Sequence, residues 1–506
     1  MDTRAFGGVV LLTGAVGMVA VLSSRLSKRV RLPSPALVLV GAAIAVKVIP
    51  ALHIPPERTV ERVVTIALLF ILFDGGMHIG WSRFRSAAAP IAVVGVIGTF
   101  LTVAAGAALV HFAFGLAWYV SVLVGTAVAP TDPAVVFSVL GKREITGRSG
   151  TILEGESGAN DPVGIALMAS LIAAGHLSAG AAAQVAGQFA LQMGVGAAVG
   201  IIGGRALGWF MRKVPLPGEG LYPLRTLAGV LGLYGVATVA HGSGFLAVFV
   251  AGIMLGDGHA PYKREIERFH SALASLGEIV AFVILGLTIN LGELARADVW
   301  VPGLILGGVL ALIIRPVLVG LCLIPARLPG PQRNFVLFAG LKGAVPILLG
   351  TFLLASPVAQ AERLYGIVVI VVVFSVVVQG TLAPVVARGL GVPMRIVEPE
   401  PWSLGVSLRN EPNGVHRLTI TTGAPADGHT IADLADLTED AWISFIVRSG
   451  HLIAVRADTE LRAGDEVLVL ADPDQAGQLR RTFERLAPER KPKRPERGEE
   501  SPDPSG

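Results

Sequence analysis

The sequence predicts an all-α polytopic membrane protein that ends in a small α/β cytoplasmic domain. Three observations carry that fold class. The 506 residues are 53% hydrophobic and only 15% charged, whereas a soluble chain carries about a quarter charged residues. The apolar residues gather into about thirteen runs, each near the length that crosses a hydrocarbon core of about 30 Å. From Gly391 the composition changes to short alternating strands separated by polar turns. The 62 glycines suit helices that pack closely through small residues. Cys322 is the one cysteine, which excludes an intrachain disulfide framework and a cysteine-based metal site. The net charge of +4 needs no nucleic-acid partner, because basic cytoplasmic loops account for it.

The runs cover approximately 6–23, 34–51, 60–79, 87–113, 117–140, 150–174, 181–211, 224–240, 243–258, 271–291, 299–325, 335–356 and 364–388. Met1 to Phe6 lacks a basic cluster and no small-residue cleavage site follows, so the first run is expected to stay as a span. Lys and Arg concentrate after odd-numbered runs. Examples are Arg25, Lys28, Arg29 and Arg31, then Lys142, Arg143 and Arg148, then Lys263, Arg264 and Arg268. The positive-inside rule puts those loops in the cytoplasm, the N-terminus outside and everything after Arg388 inside.

The chain divides into a transmembrane domain over 1–390, a linker over 391–405, a cytoplasmic domain over 406–486 and a tail over 487–506. In the cytoplasmic part, His416–Thr421, Trp442–Arg448, His451–Arg456 and Glu466–Leu470 read as strands, with the middle two forming a hairpin. Thr430–Leu434 and Pro473–Leu486 read as helices. The charged, Pro-rich tail lacks apolar anchors and is expected to be disordered.

Two runs are interrupted. The fifth contains Ala129-Pro-Thr-Asp-Pro133, and the twelfth contains Gly340-Leu-Lys-Gly-Ala-Val-Pro346. Proline removes backbone hydrogen bonds and breaks a helix. Irregular backbone survives at membrane depth only where it is buried in protein or lines a cavity. Runs 1–6 and 8–13 are therefore expected to be inverted repeats of six helices, with the two broken helices crossing at a binding site. Broken helices leave half-helix N-termini partly positive and C-termini partly negative. Asp132 suits the former and Lys342 the latter; snorkelling to an interface is the alternative.

The sixth run opens on Leu153-Glu-Gly-Glu-Ser-Gly-Ala-Asn-Asp-Pro-Val163. It places Glu154, Glu156, Asn160 and Asp161 at or near membrane depth, where a charge costs roughly 2.5–3.5 kcal/mol. The reading is a functional site facing protein or water; the other is a polar loop with the helix starting at Pro162. Asp74 is either a cation ligand or an end-of-helix charge. Buried charges of opposite sign pair, so Arg315 is expected to brace Glu156 or Glu278.

Glu154-Gly-Glu-Ser-Gly-Ala-Asn-Asp-Pro162, Pro130-Thr-Asp-Pro133 and Gly340-Leu-Lys-Gly-Ala-Val-Pro346 together resemble the sodium/proton-exchanger side of the monovalent cation:proton antiporter superfamily. Phe282-Val-Ile-Leu-Gly286 after Glu278, and Arg315-Pro316, match it too. Pro425–Leu434 and Leu461–Leu470 resemble a TrkA-C regulatory domain, a pairing similar to bacterial potassium/proton antiporters. The resemblance implies a homodimer in the bacterial inner membrane, with a six-helix core that moves like an elevator. It implies a cation site of the Asp161 carboxylate, the Ser157 hydroxyl, the Thr131 carbonyl and an acidic residue at position 74. Relatives often carry Glu there, and Asp74 is one methylene shorter. Glu156 with Arg315 is the implied structural pair, and Asn160 marks a subgroup associated with electroneutral exchange.

The expected chemistry is exchange of a monovalent cation against H⁺, because one carboxylate cannot hold both ions at once; the resemblance of the C-terminal domain puts K⁺ ahead of Na⁺ or Li⁺. No cofactor is expected, and the protein is not read as an enzyme. The cytoplasmic domain is either a sensor of an unidentified small ligand or a dimer clamp. The other partners are membrane lipid and a second copy of the chain. A gated cation channel is disfavoured because no Thr-Val-Gly-Tyr-Gly filter is present. An intramembrane aspartyl hydrolase using Asp132 and Asp161 is disfavoured because nothing in the sequence suggests a peptide groove.

Overall fold

The computed structural model describes residues 33–48, 56–140, 143–145, 147–258, 260–396, 414–434, 441–448 and 451–484, with isolated positions between 7 and 23. Most of the first apolar run, the linker from 397 to 405, the hairpin turn at Ser449 and Gly450, and the tail lie outside the described residues. The chain forms two compact units, Met1–Ser403 and Leu404–Gly506.

The first unit is helical. Its first element with described bounds is α1 (Ser34–Val48), followed by α2 (Glu57–Ala92), which runs through a π-helical turn (Val93–Gly98) into α3 (Thr99–Phe114). The stretch between the third and fourth apolar runs, which carries Arg83 and Arg85, is helical where a loop is expected. Gly80 turns the corner in one residue, at φ 65°, a conformation that only glycine adopts at little cost. The Asp257 carboxylate then accepts from the Ser82 N–H at 2.5 Å and satisfies an orphan donor of the new helix start.

Next come α4 (Trp118–Val128), α5 (Ala134–Leu140), a short strand β1 (Arg143–Ile145) and α6 (Arg148–Ala174). They are followed by α7 (Ala179–Lys213), α8 (Leu221–Val239), α9 (Gly244–Gly256) and α10 (Lys263–Leu287). Ser178 and Ser243 cap α7 and α9, each accepting a backbone N–H with its side chain. α11 (Ala297–Val309) continues into a π-helical stretch, Leu310–Val319. Then follow α12 (Gly330–Phe338), α13 (Ala344–Leu354), α14 (Ala361–Phe374), a π-helical turn (Ser375–Gln379) and α15 (Gly380–Gly389).

Among the described residues, five continuous helices are long and apolar enough to cross a membrane: Glu57–Phe114, Ala179–Lys213, Lys263–Leu287, Ala297–Cys322 and Ala361–Gly389. The first holds two of the apolar runs joined at Gly80. The interrupted runs appear as half-helices, α4 with α5 and α12 with α13. α9 packs between α2 and α7, α10 lies on α1 and α2, and α11 lies on α14. One apolar core runs through them, from Leu39 through Phe73, Phe249 and Phe282 to Val372. The segment after α15 is not all linker, because β2 (Met394–Ile396) pairs antiparallel with β1.

The second unit is a four-stranded antiparallel sheet. β3 (Val415–Thr419), β4 (Trp442–Arg448), β5 (His451–Ile453) and β6 (Glu466–Leu470) stand in the order β3-β6-β4-β5. A short helix α16 (Ile431–Leu434) and a final helix α17 (Ala476–Phe483) complete it. Alternation along β6 turns Val467 and Val469 into a core with Leu418, Ile446, Leu479 and Phe483.

Candidate cation and proton site

Backbone that leaves a helix needs new hydrogen-bond partners, and the two breaks supply them to each other. The Asp132 N–H donates to the Leu341 carbonyl at 2.7 Å. Lys342 Nζ donates to the Ala129 carbonyl at 2.8 Å, where α4 ends. Asp132 Oδ1 accepts from the Ala134 N–H at 2.9 Å, where α5 begins. The same carboxylate takes a bond from the Ala344 N–H, where α13 begins. A carboxylate thus faces two partly positive helix starts, and an ammonium faces a partly negative helix end. A Cβ on Gly343 would overlap Asp132, and one on Gly340 would overlap the Arg315 guanidinium. Those glycines let the breaks close.

The polar signature rides on α6, which is helical from Arg148 to Ala174 with Pro162 inside it, so the loop reading does not hold. Glu156, Ser157, Asn160 and Asp161 are all buried on it. Asn160 ties α6 to the first break. Its Nδ2 donates to Thr131 Oγ1 at 2.8 Å, and its Oδ1 accepts from the Thr131 N–H at 3.3 Å. Ser157, one turn before Asp161, hydrogen-bonds the Asp161 carboxyl, and Asp132 and Lys342 are its charged neighbours. Asp161 Oδ1 is buried without a hydrogen-bond partner. A buried carboxylate oxygen left unpaired carries its full desolvation cost, which a proton or a cation would relieve.

The other expected residues divide. Glu156 and Arg315 form a two-pronged pair, with Nη1 to Oε1 at 2.6 Å and Nη2 to Oε2 at 2.9 Å. Glu278 does not join it. Arg315 turns its remaining donors to the Leu337 and Val336 carbonyls at the end of α12, and Glu278 Oε1 is buried without a partner. Asp74 accepts from Ser271 Oγ at 2.8 Å and meets His78 Nδ1 at 3.4 Å. Among the described residues no hydrogen bond links Asp74 to Asp161, Ser157 or Thr131.

Sequence reading passed over Ser375 and Gln379, which reach the second break from the π turn after α14. The signal available was a pair of polar residues four apart inside an apolar run. It also passed over Ser271, the partner of Asp74.

Comparison with known proteins places the chain in a family. The profile of the sodium/hydrogen exchanger transmembrane family matches residues 17–389, and that of the TrkA-C domain matches 415–484. The K(+)/H(+) antiporter NhaP of Alkalimonas amylolytica is 31% identical over 474 residues, 92% of this chain and 82% of that protein. The K(+)/H(+) antiporter NhaP2 of Shewanella oneidensis is 30% identical over 500 residues, 97% and 85% of the two chains. The sodium proton antiporter MjNhaP1 of Methanocaldococcus jannaschii, at 22% identity, shares the fold with a TM-score of 0.62 over 74% of this chain and 99% of its own. The chain belongs to the sodium/hydrogen exchanger family and is a multi-pass membrane antiporter of monovalent cations and protons with a TrkA-C domain.

Proposed function

We propose that the protein exchanges K⁺ for H⁺ one for one, with both ions competing for Asp161. The observation that carries this reading is the buried, unpartnered Asp161 oxygen beside two touching helix breaks. A proton neutralises the carboxylate. A dehydrated cation takes its place, held by Asp161, Ser157 and the Thr131 carbonyl. Asp74 holds Ser271 and His78 in this conformation, so it joins the cation only by exchanging those partners. The loaded site carries the same charge with either ion, so turnover is electroneutral. Asp132 and Lys342 neutralise the half-helix ends, and Glu156 with Arg315 fixes α6 against α12.

The protein works as a homodimer in a bacterial inner membrane, with its N-terminus outside and its C-terminus in the cytoplasm. Spans 1–6 and 8–13 form inverted repeats, and the core carries the site across as an elevator. Residues 1–390 are the transport domain and 406–486 the cytoplasmic regulatory domain. K⁺ is favoured by the names of the two relatives that match nearly the whole chain. Na⁺ is the second reading, favoured by the family's name.

The test is proton flux in reconstituted vesicles on addition of K⁺, Na⁺ or Li⁺, with the membrane potential clamped and unclamped. Proton release on K⁺ that ignores the clamp and vanishes in Asp161→Asn is the expected result. Release on Na⁺ and Li⁺ alone would overturn the substrate and keep the site. Full exchange by Asp161→Asn would sink the site.

A further inference from the structure

The first break is braced from outside by Asn160 on α6. The second has a brace of its own. Ser375 Oγ accepts from the Lys342 backbone N–H at 2.9 Å and donates to Gln379 Oε1 at 2.6 Å. Gln379 Nε2 then donates to the Phe338 carbonyl at 3.4 Å, where α12 ends. A hydroxyl has one proton to give, so the direction of the chain is set: Lys342 amide to Ser375, Ser375 to Gln379, Gln379 to Phe338. The pair therefore grips both edges of the gap between α12 and α13. Ser375 and Gln379 are themselves buried, both at 6% exposure or less.

The brace stands on a π-helical turn, a widened geometry that recurs at functional sites. Beside it lies a cavity of ≈ 10 Å³ lined by Thr102, Arg315, Gly340, Lys342, Ser375 and Gln379, about the space of one water. Lys342 is thus held at both ends, its amide by Ser375 and its ammonium by the Ala129 carbonyl. Its neighbours in charge are Arg315, Glu156 and Asp161. An ammonium freed from Ala129 is itself a monovalent cation, with the Asp161 carboxylate among its charged neighbours.

The geometry points to Ser375 and Gln379 as positioning residues for cation binding, which hold the second break so that the Lys342 ammonium stays on Ala129 and off Asp161. They touch neither ion and act through Lys342. The inference rests on the reading of Asp161 given above. In the repeat proposed there, spans six and thirteen correspond, and the brace on the last span is the counterpart of Asn160 on the sixth.

The test is cation-dependent proton exchange by the full-length protein in vesicles, comparing Ser375→Ala, Ser375→Thr and Gln379→Leu with wild type. The assay uses whichever of K⁺ or Na⁺ the wild type exchanges. Loss of the brace is expected to raise the apparent KM for the cation by about five-fold, the weight of one hydrogen bond, and to change the maximal rate by less. Ser375→Thr keeps the hydroxyl and should keep a wild-type KM. A merely structural role would lower the maximal rate, through less folded transporter, at an unchanged KM. Unchanged KM in both Ser375→Ala and Gln379→Leu overturns the inference, and so does failure of both to accumulate in the membrane. If only Ser375→Ala fails to accumulate, Gln379→Leu decides: it keeps the Lys342 amide satisfied, and so folding, but removes the grip on Phe338 and on the Ser375 hydroxyl, so its KM should still rise. Asp161→Asn in the same assay keeps the two questions apart. Exchange by that variant sinks the site reading, whereas a wild-type KM in the brace variants sinks only the brace.

Discussion

Arg315 gives all its bonding to buried partners: two bonds to Glu156 and one each to the Leu337 and Val336 carbonyls. Its side chain is 7% exposed and that of Glu156 is 3% exposed. This is a fixed planar fork, which lysine cannot copy with a single nitrogen. Removing one partner of a buried pair costs about 3–5 kcal/mol, because the other charge is left uncompensated. Glu156→Ala and Arg315→Lys should therefore both lower the thermal stability of the purified transporter sharply. Glu156→Gln with Arg315→Met should recover part of the loss, because no lone charge remains. Recovery stays partial, since the Leu337 and Val336 carbonyls still lack their donors. Thermal unfolding in detergent checks this, and an Arg315→Lys melting curve that overlays wild type would contradict it. The identity of the pair was half-legible. Opposite charges in apolar runs announced a brace, and on burial alone Glu156 and Glu278 were equal candidates; only the family resemblance singled out Glu156. Which of them meets Arg315 depends on how α6 and α10 are turned, and no local pattern encodes that.

At the scale of elements, the breaks were legible because proline and glycine act locally. Pro130 and Pro133 cannot continue a helix, and Gly340 with Gly343 is the sequence trace of two backbones closing on bulky neighbours. The π-helical turns were not legible. They arise from how a helix settles against others, and the runs that hold them read as ordinary apolar spans. The short strands β1 and β2 were missed for a related reason, since three residues of pairing leave no period to detect. The strands of the second unit were readable because alternation is strong there. Their stability has an electrostatic hinge at Asp465, which precedes β6. Burial pushes its carboxyl up. The Arg448 guanidinium, at 2.8 Å and 2.7 Å, the Arg462 N–H at 2.9 Å and the charges of both arginines outweigh that and hold it below the ordinary carboxylate value. A lowered folded pKa means stability that is complete above the unfolded value and is lost as pH falls through the folded one. The sheet of the second unit should therefore lose hydrogen-exchange protection as the solution is acidified through that window. Asp465→Asn should weaken it at neutral pH by roughly 1.5–3 kcal/mol and flatten the acid dependence. Equal protection in the variant and the wild type at pH 7 would remove Asp465 from this role.

At the scale of the whole molecule, the strand pair ties two distant parts of the first unit together. β1 follows α5, the half-helix after the first break, and leads into α6, the helix of Asp161. β2 follows α15, which continues from the π turn of Ser375 and Gln379. The register sets Arg143 opposite Ile396, Glu144 opposite Arg395 and Ile145 opposite Met394. Met394–Ile396 is also the last described stretch before the chain passes to the second unit. The chain leading to the second unit thus leaves from a strand anchored on the connection between the first broken helix and α6. Opposed residues in an antiparallel pair have Cα atoms about 4.5 Å or 5.5 Å apart, both within disulfide range. Glu144→Cys with Arg395→Cys, made in a Cys322→Ser background, should therefore cross-link under mild oxidation. Both strands hang from helices that meet at the two breaks, so they should travel as one body, and the cross-linked transporter should keep at least about half its exchange rate. Oxidation followed by proton flux in vesicles, before and after reduction, measures both. Absence of a cross-link would remove the strand pair. A cross-link that forms and stops exchange until it is reduced would mean that the strands part during each cycle, and that the chain leading to the second unit pulls on the helix of Asp161 as they do.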